Sequence, residues 1–376
     1  MAAEPARGTA GGAANGGAVN DEVLFERRGR LGIVTLNRPK AVNALTAGMA
    51  AAMLDQLALW AEDDAVAAVL VRGAGDRGLC AGGDIVAIYQ DMLDGGDATA
   101  DFWAVEYRLN LLIADYPKPY VAFMDGLVLG GGVGISAHGS VRIVTERTRT
   151  GMPETTIGFV PDVGGTLLLS RAPGETGTHA ALTGAHLSGA DALFLGLADH
   201  FVPSELLPEL AAALETEPAE TAVGRFTAPA PASVLAEQRD WIDVCYSSDD
   251  AGEIVRRLRT FGGEAAAEAA ETITAKSPTA VKVALESLRR VRGLSLAQAL
   301  EQEYRVGVHF LAGPDFREGI RAQVVDKDRS PRWKPATLAE VTGDDVAGYF
   351  APLGGRELRL SPRERDEEKD QEKDNV

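Results

Sequence analysis

An α/β fold is predicted for this 376-residue chain, because three features of the sequence agree on it. Short apolar runs rich in valine and leucine, each ended by glycine, are typical of buried strands. Segments with apolar residues at helical spacing follow several of these runs. The composition is that of a globular protein, with 45% hydrophobic and 24% charged residues. Strands that alternate with helices in such a chain indicate a sheet covered by helices.

The pattern begins with two strands and a helix. The stretch EVLFERRGRLGIVTLNRP (22–39) predicts a strand, a turn within 29–32 and a second strand, which Pro39 ends. The stretch ALTAGMAAAMLDQLALWAEDD (44–64) then predicts an amphipathic helix with Thr46 as its N-cap.

Strands and glycine turns follow in the next part of the chain. VAAVLVRGAG (66–75) predicts a buried strand. KPYVAFMDGLVLGGGVGISAHGSVRIVTE (118–146) predicts a strand, a glycine turn, an apolar helix and another strand. From about residue 176 onward, helical patterns dominate.

These patterns divide the chain into four parts. We expect a disordered Ala/Gly-rich tail at 1–20, an α/β core at 21–220, a helical C-terminal region at 221–360 and a charged disordered tail at 361–376.

Charge and composition exclude several classes of function. The net charge of −18 argues against nucleic-acid partners, which bind basic patches. No apolar run approaches the about 20 residues of a membrane span, and the N-terminus lacks a secretory pattern. Only Cys80 and Cys245 are present, so we expect a reducing compartment, the cytoplasm. The five histidines show no metal-ligand spacing, so no metal site is predicted.

Two glycine turns could present backbone amides to a ligand. They are LCAGGDI (79–85) and DGLVLGGGVGIS (125–136), and each joins a short strand to a predicted helix. Glycine allows close approach of a ligand, and the first N–H groups of a helix have no partner within it. Two such turns at one pocket would form an oxyanion hole. Tight turns without a ligand are the alternative.

Two acids stand in an otherwise apolar and glycine-rich segment, MPETTIGFVPDVGG (152–165). They are Glu154 and Asp162, and burying a carboxylate is costly unless it has partners or a function. An N-cap or ion-pair role for Glu154, and a turn role for Asp162 after Pro161, are the structural alternatives.

Five motifs in register resemble the crotonase, or enoyl-CoA hydratase/isomerase, superfamily over about residues 23–335. They are NRPKAVNAL (37–45), CAGGD (80–84), the glycine turn at 125–136, the acid-bearing segment at 152–165 and FREGIRA (316–322). The resemblance implies a crotonase-type ββα spiral core that binds acyl-CoA thioesters, with Gly83 and Gly131 as the amide donors. It also implies a possible homo-oligomer, and no cofactor beyond the CoA of the substrate.

Within the superfamily, the chain is similar to the 3-hydroxyisobutyryl-CoA hydrolases. Hydratases carry two glutamates, and Gly134 stands in the place of the first. The resemblance to the hydrolase branch extends through 326–350 and implies a substrate site of Glu106, Gly131, Glu154 and Asp162. Glu154 would then act on the thioester, and Asp162 would bind the substrate hydroxyl or orient water. The implied reaction releases 3-hydroxyisobutyrate and CoA in valine catabolism.

Several alternatives remain open at this stage. A double-bond isomerase could work with Glu154 and the amide pair alone, and a non-catalytic acyl-CoA binding protein would need neither acid. Glu106 could be a solvated helix residue. Cys80 is interpreted as a packed thiol, and Arg38 and Lys40 as either solvated or in contact with CoA phosphates.

Overall fold

The computed structural model describes residues 21–360, and its strands form two sheets. The ten strands are β1 (Val23–Arg28), β2 (Leu31–Leu36), β3 (Ala68–Gly73), β4 (Gly78–Cys80), β5 (Tyr120–Met124), β6 (Leu127–Leu129), β7 (Val141–Val144), β8 (Arg149–Gly151), β9 (Leu187–Ser188) and β10 (His200–Phe201). One sheet has the order β1-β2-β3-β5-β7-β10 and the other β4-β6-β8-β9. The β1–β2 and β8–β9 pairs are antiparallel, and every other pair is parallel.

Helices follow the parallel strands and make up most of the C-terminal half. They are α1 (Ala47–Glu62), α2 (Ile85–Asp94), α3 (Ala98–Ala114), α4 (Gly131–Gly134), α5 (Gly165–Ser170), α6 (Thr176–Thr183), α7 (Gly189–Leu195), α8 (Leu207–Leu214), α9 (Ala219–Phe226), α10 (Val234–Glu237), α11 (Arg239–Tyr246), α12 (Ala251–Phe261), α13 (Glu264–Thr274), α14 (Pro278–Arg290), α15 (Leu296–Ala312), α16 (Pro314–Ile320) and α17 (Gly343–Gly348). None of these helices is long and apolar enough to cross a membrane.

The predicted α/β class is confirmed, and so are the first elements. The Thr46 hydroxyl accepts a hydrogen bond from the Met49 amide and caps α1, as predicted. The apolar helix expected after the glycine turn is shorter than its sequence suggests, since α4 ends at Gly134. Glycine makes up most of α4, and its conformational freedom opposes a longer helix.

One continuous core joins the two halves of the described chain. The same apolar cluster contains Met49 and Tyr107 from the N-terminal part and Leu285 and Phe310 from the C-terminal helices. The helical C-terminal region therefore packs directly on the spiral core. The division at residue 220 stays a prediction, and the two predicted tails lie outside the described residues.

The smaller sheet brings three chain segments to one edge. Its strands β4, β6 and β8 are neighbours and run parallel, so their carboxyl ends meet there. The segments that leave these ends carry Gly83, Gly131 and Glu154. Ligands of open α/β sheets bind outside the carboxyl ends of parallel strands, so this edge is the expected place for a site.

Candidate active site

A cavity of about 210 Å³ lies at this edge of the smaller sheet. Its lining is mostly apolar, with backbone from both glycine turns and a few acids. The lining residues that carry the argument are Gly83, Glu106, Gly131, Glu154 and Asp162. Every site residue predicted from the sequence thus lines one cavity. No lysine, arginine or histidine is among the lining residues within 21–360, so the acids face no basic side chain there.

Stacked aromatic rings form one wall of the cavity. The Phe159 ring stacks on Trp103 with a centroid distance of 5.3 Å and on Phe316 with one of 4.4 Å. All three side chains are buried and line the cavity. Packed rings move little when a ligand binds beside them, because protein interiors are close-packed and rearrange only at a cost in free energy. The wall therefore limits the size of a group bound beside it.

The two predicted amide donors are neighbours across the cavity. A Cβ atom built on Gly131 would lie 3.5 Å from the Gly83 amide nitrogen. Gly131 is the first residue of α4, where a backbone N–H has no partner within the helix. Within the described chain, the Gly83 amide donates no hydrogen bond, although Leu45 bonds to the residues on either side of it. The pair is therefore available for an oxygen atom bound between them.

Glu154 follows β8 and begins a short 3₁₀ turn beside the amide pair. Its side chain is buried, and its Oε2 atom has no hydrogen-bond partner within residues 21–360. Its Oε1 atom lies 2.8 Å from where a Cβ on Gly130 would stand, so the glycine leaves room for this carboxyl. Burial, and then the nearby charge of Asp162, raise the pKa of Glu154 well above its ordinary value.

Asp162 faces the same cavity from the turn that precedes α5. The Tyr107 hydroxyl donates a hydrogen bond to Asp162 Oδ2 at 2.9 Å. Burial raises the pKa of Asp162 to about 7, and the Tyr107 hydrogen bond opposes that rise. The side chain is thus held in place while it faces the cavity, which a simple turn-forming aspartate does not require.

Glu106 lies in the middle of α3, and it is not a solvated helix residue. Its side chain is 2% exposed and its Oε1 atom has no partner within the described part of the chain. That atom lies 2.6 Å from the position of a Cβ on Gly131. Burial, followed by the charge of Asp162, raises the pKa of Glu106 well above its ordinary value.

A stability measurement tests the burial of Glu106. Its raised pKa means that ionisation costs more in the folded than in the unfolded protein. This penalty grows as pH rises above the unfolded value of about 4.3. Glu106→Gln is therefore expected to raise Tm at about pH 8, with a smaller gain at about pH 5. Thermal unfolding at both values measures this. The exposed Glu268 on α13 provides the control Glu268→Gln, which should show no such pH dependence. An equal Tm change for both variants would contradict the buried state of Glu106.

Sequence reasoning missed the residues that support Asp162. Tyr107 directly follows Glu106, yet its neighbours gave no sign that its hydroxyl would reach Asp162, 55 residues later. Glu303 on α15 accepts hydrogen bonds from the Gly164 and Thr166 amides, across more than 130 residues. Contacts of this range depend on how the C-terminal helices dock, and no local pattern carries that information.

Gly134 cannot accept a larger residue without rearrangement. A Cβ atom there would lie 2.7 Å from Val163 Cβ and 2.9 Å from Asn110 Nδ2. Both neighbours are fully packed, with exposures of 1% and 0%. A glutamate at this position would therefore collide with them. The place that the resemblance assigns to the first hydratase glutamate is therefore filled by Val163 and Asn110.

Two other reactive side chains, Cys80 and Arg38, have structural roles. Cys80 is buried, and burial raises the pKa of its thiol to about 12, which fits a packed thiol. Arg38 donates to Asp84 at 2.8 Å and to the Ala44 carbonyl at 2.7 Å. Neither Arg38 nor Lys40 lines the cavity. Within the residues that the structure describes, no group of His, Cys, Asp and Glu side chains could hold a metal ion.

The cavity holds an amide pair beside buried carboxylates, at the ends of parallel strands in a two-sheet spiral. This arrangement defines an α/β protein of the crotonase type. The chain belongs to the enoyl-CoA hydratase/isomerase family, whose family model matches residues 31–350. The resemblance of the five motifs to this superfamily is thus confirmed.

Relatives and solved structures cover nearly the whole chain. The mitochondrial 3-hydroxyisobutyryl-CoA hydrolase of Rattus norvegicus is 41% identical over 350 residues, covering 90% of this chain and 91% of that protein. The Homo sapiens protein of the same name is 39% identical over 355 residues, covering 90% and 91%.

Among solved structures, a carnitinyl-CoA dehydratase from Mycobacterium thermoresistibile is 53% identical, with a TM-score of 0.88 and coverage of 92% of this chain and 100% of that one. An enoyl-CoA hydratase from Rhodobacter sphaeroides is 42% identical, with a TM-score of 0.86 and coverage of 90% and 100%.

Proposed function

We propose that this protein is an acyl-CoA thioester hydrolase that converts 3-hydroxyisobutyryl-CoA to 3-hydroxyisobutyrate and CoA. The observation that carries the proposal is one cavity in which Glu154 lies beside the amide pair, with Asp162 as a second carboxylate and no room for a glutamate at Gly134. The hydrolases that are about 40% identical over 90% of the chain support it.

In this proposal, the Gly83 and Gly131 amides bind the thioester carbonyl oxygen. Negative charge builds on that oxygen when the carbonyl carbon becomes tetrahedral. Preorganised N–H donors in a cavity with little water stabilise such a charge more than water does. Their effect increases toward the transition state, so they lower the barrier and do not merely tighten substrate binding.

Glu154 acts on the carbonyl carbon in one of two ways. Its carboxylate attacks the carbon directly, which displaces the CoA thiolate and leaves an anhydride for water to hydrolyse. Alternatively, it takes a proton from water that attacks, and the thiolate accepts a proton as it leaves. Both routes need an ionised Glu154 at the start, and both release CoA–SH and a carboxylic acid.

The aromatic wall and Asp162 are proposed to select the acyl group. Trp103, Phe159 and Phe316 form a packed boundary of the cavity, so we expect a short acyl chain to bind beside them better than a long one. Asp162 offers a charged acceptor to a 3-hydroxyl group, and hydrogen bonds to charged groups contribute about 1.5–3 kcal/mol. A substrate without the hydroxyl would leave that buried acceptor unpaired.

Asp162→Ala tests this selectivity. We expect the wild type to prefer 3-hydroxyisobutyryl-CoA over isobutyryl-CoA by about tenfold or more in kcat/KM, which corresponds to about 1.4 kcal/mol. The variant should slow the reaction and compress this ratio, because the hydroxyl acceptor is gone. Steady-state kinetics on both substrates measure it. Equal losses on the two substrates would instead assign Asp162 to the attacking water or to Glu154.

Hydration or dehydration of an acyl-CoA is the second candidate function. The 53% identical solved structure is that of a protein named as a carnitinyl-CoA dehydratase, which favours this candidate. The packing at Gly134 opposes the two-glutamate form of that chemistry, because Val163 and Asn110 occupy the space. An isomerase that uses Glu154 alone is a further candidate within the family.

A thiol-release assay separates these functions. The wild-type protein is incubated with 3-hydroxyisobutyryl-CoA, isobutyryl-CoA, crotonyl-CoA and carnitinyl-CoA, and free CoA is measured beside loss or gain of the conjugated double bond. Rapid CoA release from 3-hydroxyisobutyryl-CoA supports the hydrolase, provided that crotonyl-CoA keeps its double bond and carnitinyl-CoA gains none. Fast hydration of crotonyl-CoA or dehydration of carnitinyl-CoA, without CoA release, would overturn it. A protein that binds all four substrates unchanged would be a binding protein.

We further propose that the protein works in valine breakdown, in the cytoplasm, with CoA entering only as part of the substrate. The related hydrolases from Rattus norvegicus and Homo sapiens are named as mitochondrial proteins, so localisation needs its own experiment. Fractionation of cells that express the tagged protein at its native level tests the cytoplasm. Size-exclusion chromatography with light scattering tests the expected homo-oligomer.

A further inference from the structure

The turn that carries Asp162 adopts an unusual backbone conformation. Val163 has a φ of 52° and Gly164 a φ of 79°, so both are in the left-handed region. That region suits glycine but is unfavourable for a β-branched residue such as valine. The Gly165 amide closes the turn by donating to the Asp162 carbonyl at 2.6 Å. Strained turns persist only where their surroundings hold them.

Side chains from three other parts of the chain hold this turn. The Tyr107 hydroxyl on α3 donates to the Asp162 carboxylate. His138, which follows α4, contacts the Val163 carbonyl at 2.7 Å through Nε2, so this nitrogen carries the proton. Glu303 on α15 accepts from the Gly164 amide at 2.6 Å. Its second oxygen accepts from the Thr166 amide at 3.0 Å and from the Thr166 hydroxyl.

The contacts of Glu303 use both of its carboxyl oxygens. Both of its oxygens accept, one from Gly164 and the other from Thr166, and its side chain is only 1% exposed. A glutamine has a single acceptor oxygen, so its amide group would face one of these donors. Burial raises the pKa of Glu303 to about 8, and the donated hydrogen bonds oppose that rise. Glu303 therefore links α15 to the turn through Gly164 and Thr166, the residues on either side of Gly165.

We propose that Glu303 is a positioning residue that fixes the Asp162 carboxylate for the 3-hydroxyl group of the substrate. The C-terminal helical region thereby sets the acyl selectivity of a cavity built on the spiral core. Glu303 does not line the cavity, so it acts through the turn and not by touching substrate. This inference rests on the proposed hydrolase function.

The kinetic test compares Glu303→Gln with the wild type on 3-hydroxyisobutyryl-CoA and isobutyryl-CoA. We expect the ratio of kcat/KM values to fall by about threefold or more, mainly through a higher KM for the hydroxylated substrate. In the Asp162→Ala background, Glu303→Gln should not change the ratio further, because residues that act through one group are not additive. Thr166→Val removes only the hydroxyl donor and should shift the ratio in the same direction by less, which provides a second variant if Glu303→Gln folds poorly.

Asp191→Asn provides the matched control. Asp191 is also a buried acid that accepts from backbone amides and hydroxyls, at Ser188, Ser233 and Leu235, and it does not line the cavity. It should lose stability with the ratio unchanged. A ratio that falls equally in Asp191→Asn, or one that Glu303→Gln leaves unchanged, would overturn the positioning role.

Hydrogen–deuterium exchange separates this inference from the proposed function. Glu303→Gln should speed exchange of the amides in the 162–167 segment, whichever reaction the protein catalyses, while Asp191→Asn should not. Unchanged exchange would overturn the inference even if the wild type hydrolyses the substrate well. Faster exchange in a protein that releases no CoA would instead reject the hydrolase function while retaining the link between Glu303 and the turn.

Discussion

Replacing Glu154 by glutamine is expected to lower the turnover of 3-hydroxyisobutyryl-CoA by about 10²–10⁴, the usual effect of losing a general acid or base. The amide keeps the shape of the side chain but can neither accept a proton from water nor attack the thioester. Glu154 Oε2 has no partner within residues 21–360, so the change breaks no hydrogen bond of that atom. Release of CoA under substrate saturation measures the effect.

Two further measurements show whether Glu154 acts as proposed. Because the pKa of Glu154 is raised, the wild-type kcat/KM should increase with pH through a midpoint above the ordinary glutamate range. The Tm of Glu154→Gln at about pH 8 should equal or exceed that of the wild type, because the buried acid no longer has to ionise. Wild-type turnover in a folded Glu154→Gln protein would remove this residue from the mechanism.

The buried carboxyls of this site oppose stability, and this marks the site as functional. Glu106, Glu154 and Asp162 line one cavity without a basic side chain among its described lining. Each has a raised pKa because of burial, and stability alone would favour apolar residues there. Perturbed carboxyls of this kind cluster at functional sites. The proposed chemistry requires such groups, whereas a scaffolding or binding protein does not.

Much of the site could be predicted because its geometry follows from local rules. Strands β4, β6 and β8 run parallel side by side, so the segments after them meet. The sequence marks two of those segments with glycine turns and the third with Glu154 in an apolar setting. Thr46 at the start of α1 is an equally local signal, and its hydroxyl caps the helix as predicted.

The residues that escaped prediction act over long range. Tyr107, His138 and Glu303 converge on one turn from α3, from the segment after α4 and from α15. Their positions depend on how the helices dock on the spiral core, and this docking leaves no periodic pattern in the sequence. Val163 was also missed, because its left-handed conformation opposes its own propensity and exists only where these contacts hold it.

Gly131→Ala is expected to reduce thioester hydrolysis by about 10²–10³, an effect similar to removing one oxyanion-hole donor. The backbone itself tolerates alanine, since Gly131 is not among the glycines with positive φ. The added Cβ would lie 2.6 Å from Glu106 Oε1 and 3.2 Å from Leu45 Cδ1, with the Gly83 amide 3.5 Å away. The Glu106 carboxyl or the backbone at Gly131 would therefore have to shift, and the methyl group would stand in contact with the Gly83 amide, beside the proposed place of the carbonyl oxygen.

The control for this variant is Gly224→Ala on α9, where a Cβ meets nothing within 4 Å. Alanine favours a helix over glycine by about 0.8–1.0 kcal/mol, so Gly224→Ala should keep full activity with equal or higher Tm. If Gly131→Ala keeps its fold and also keeps wild-type turnover, the carbonyl oxygen does not bind between Gly83 and Gly131. A loss confined to KM would mean that the amides bind the ground state and the transition state equally, because only interactions that strengthen in the transition state change kcat. A loss in kcat, with Gly224→Ala unaffected, is the result that an oxyanion hole requires.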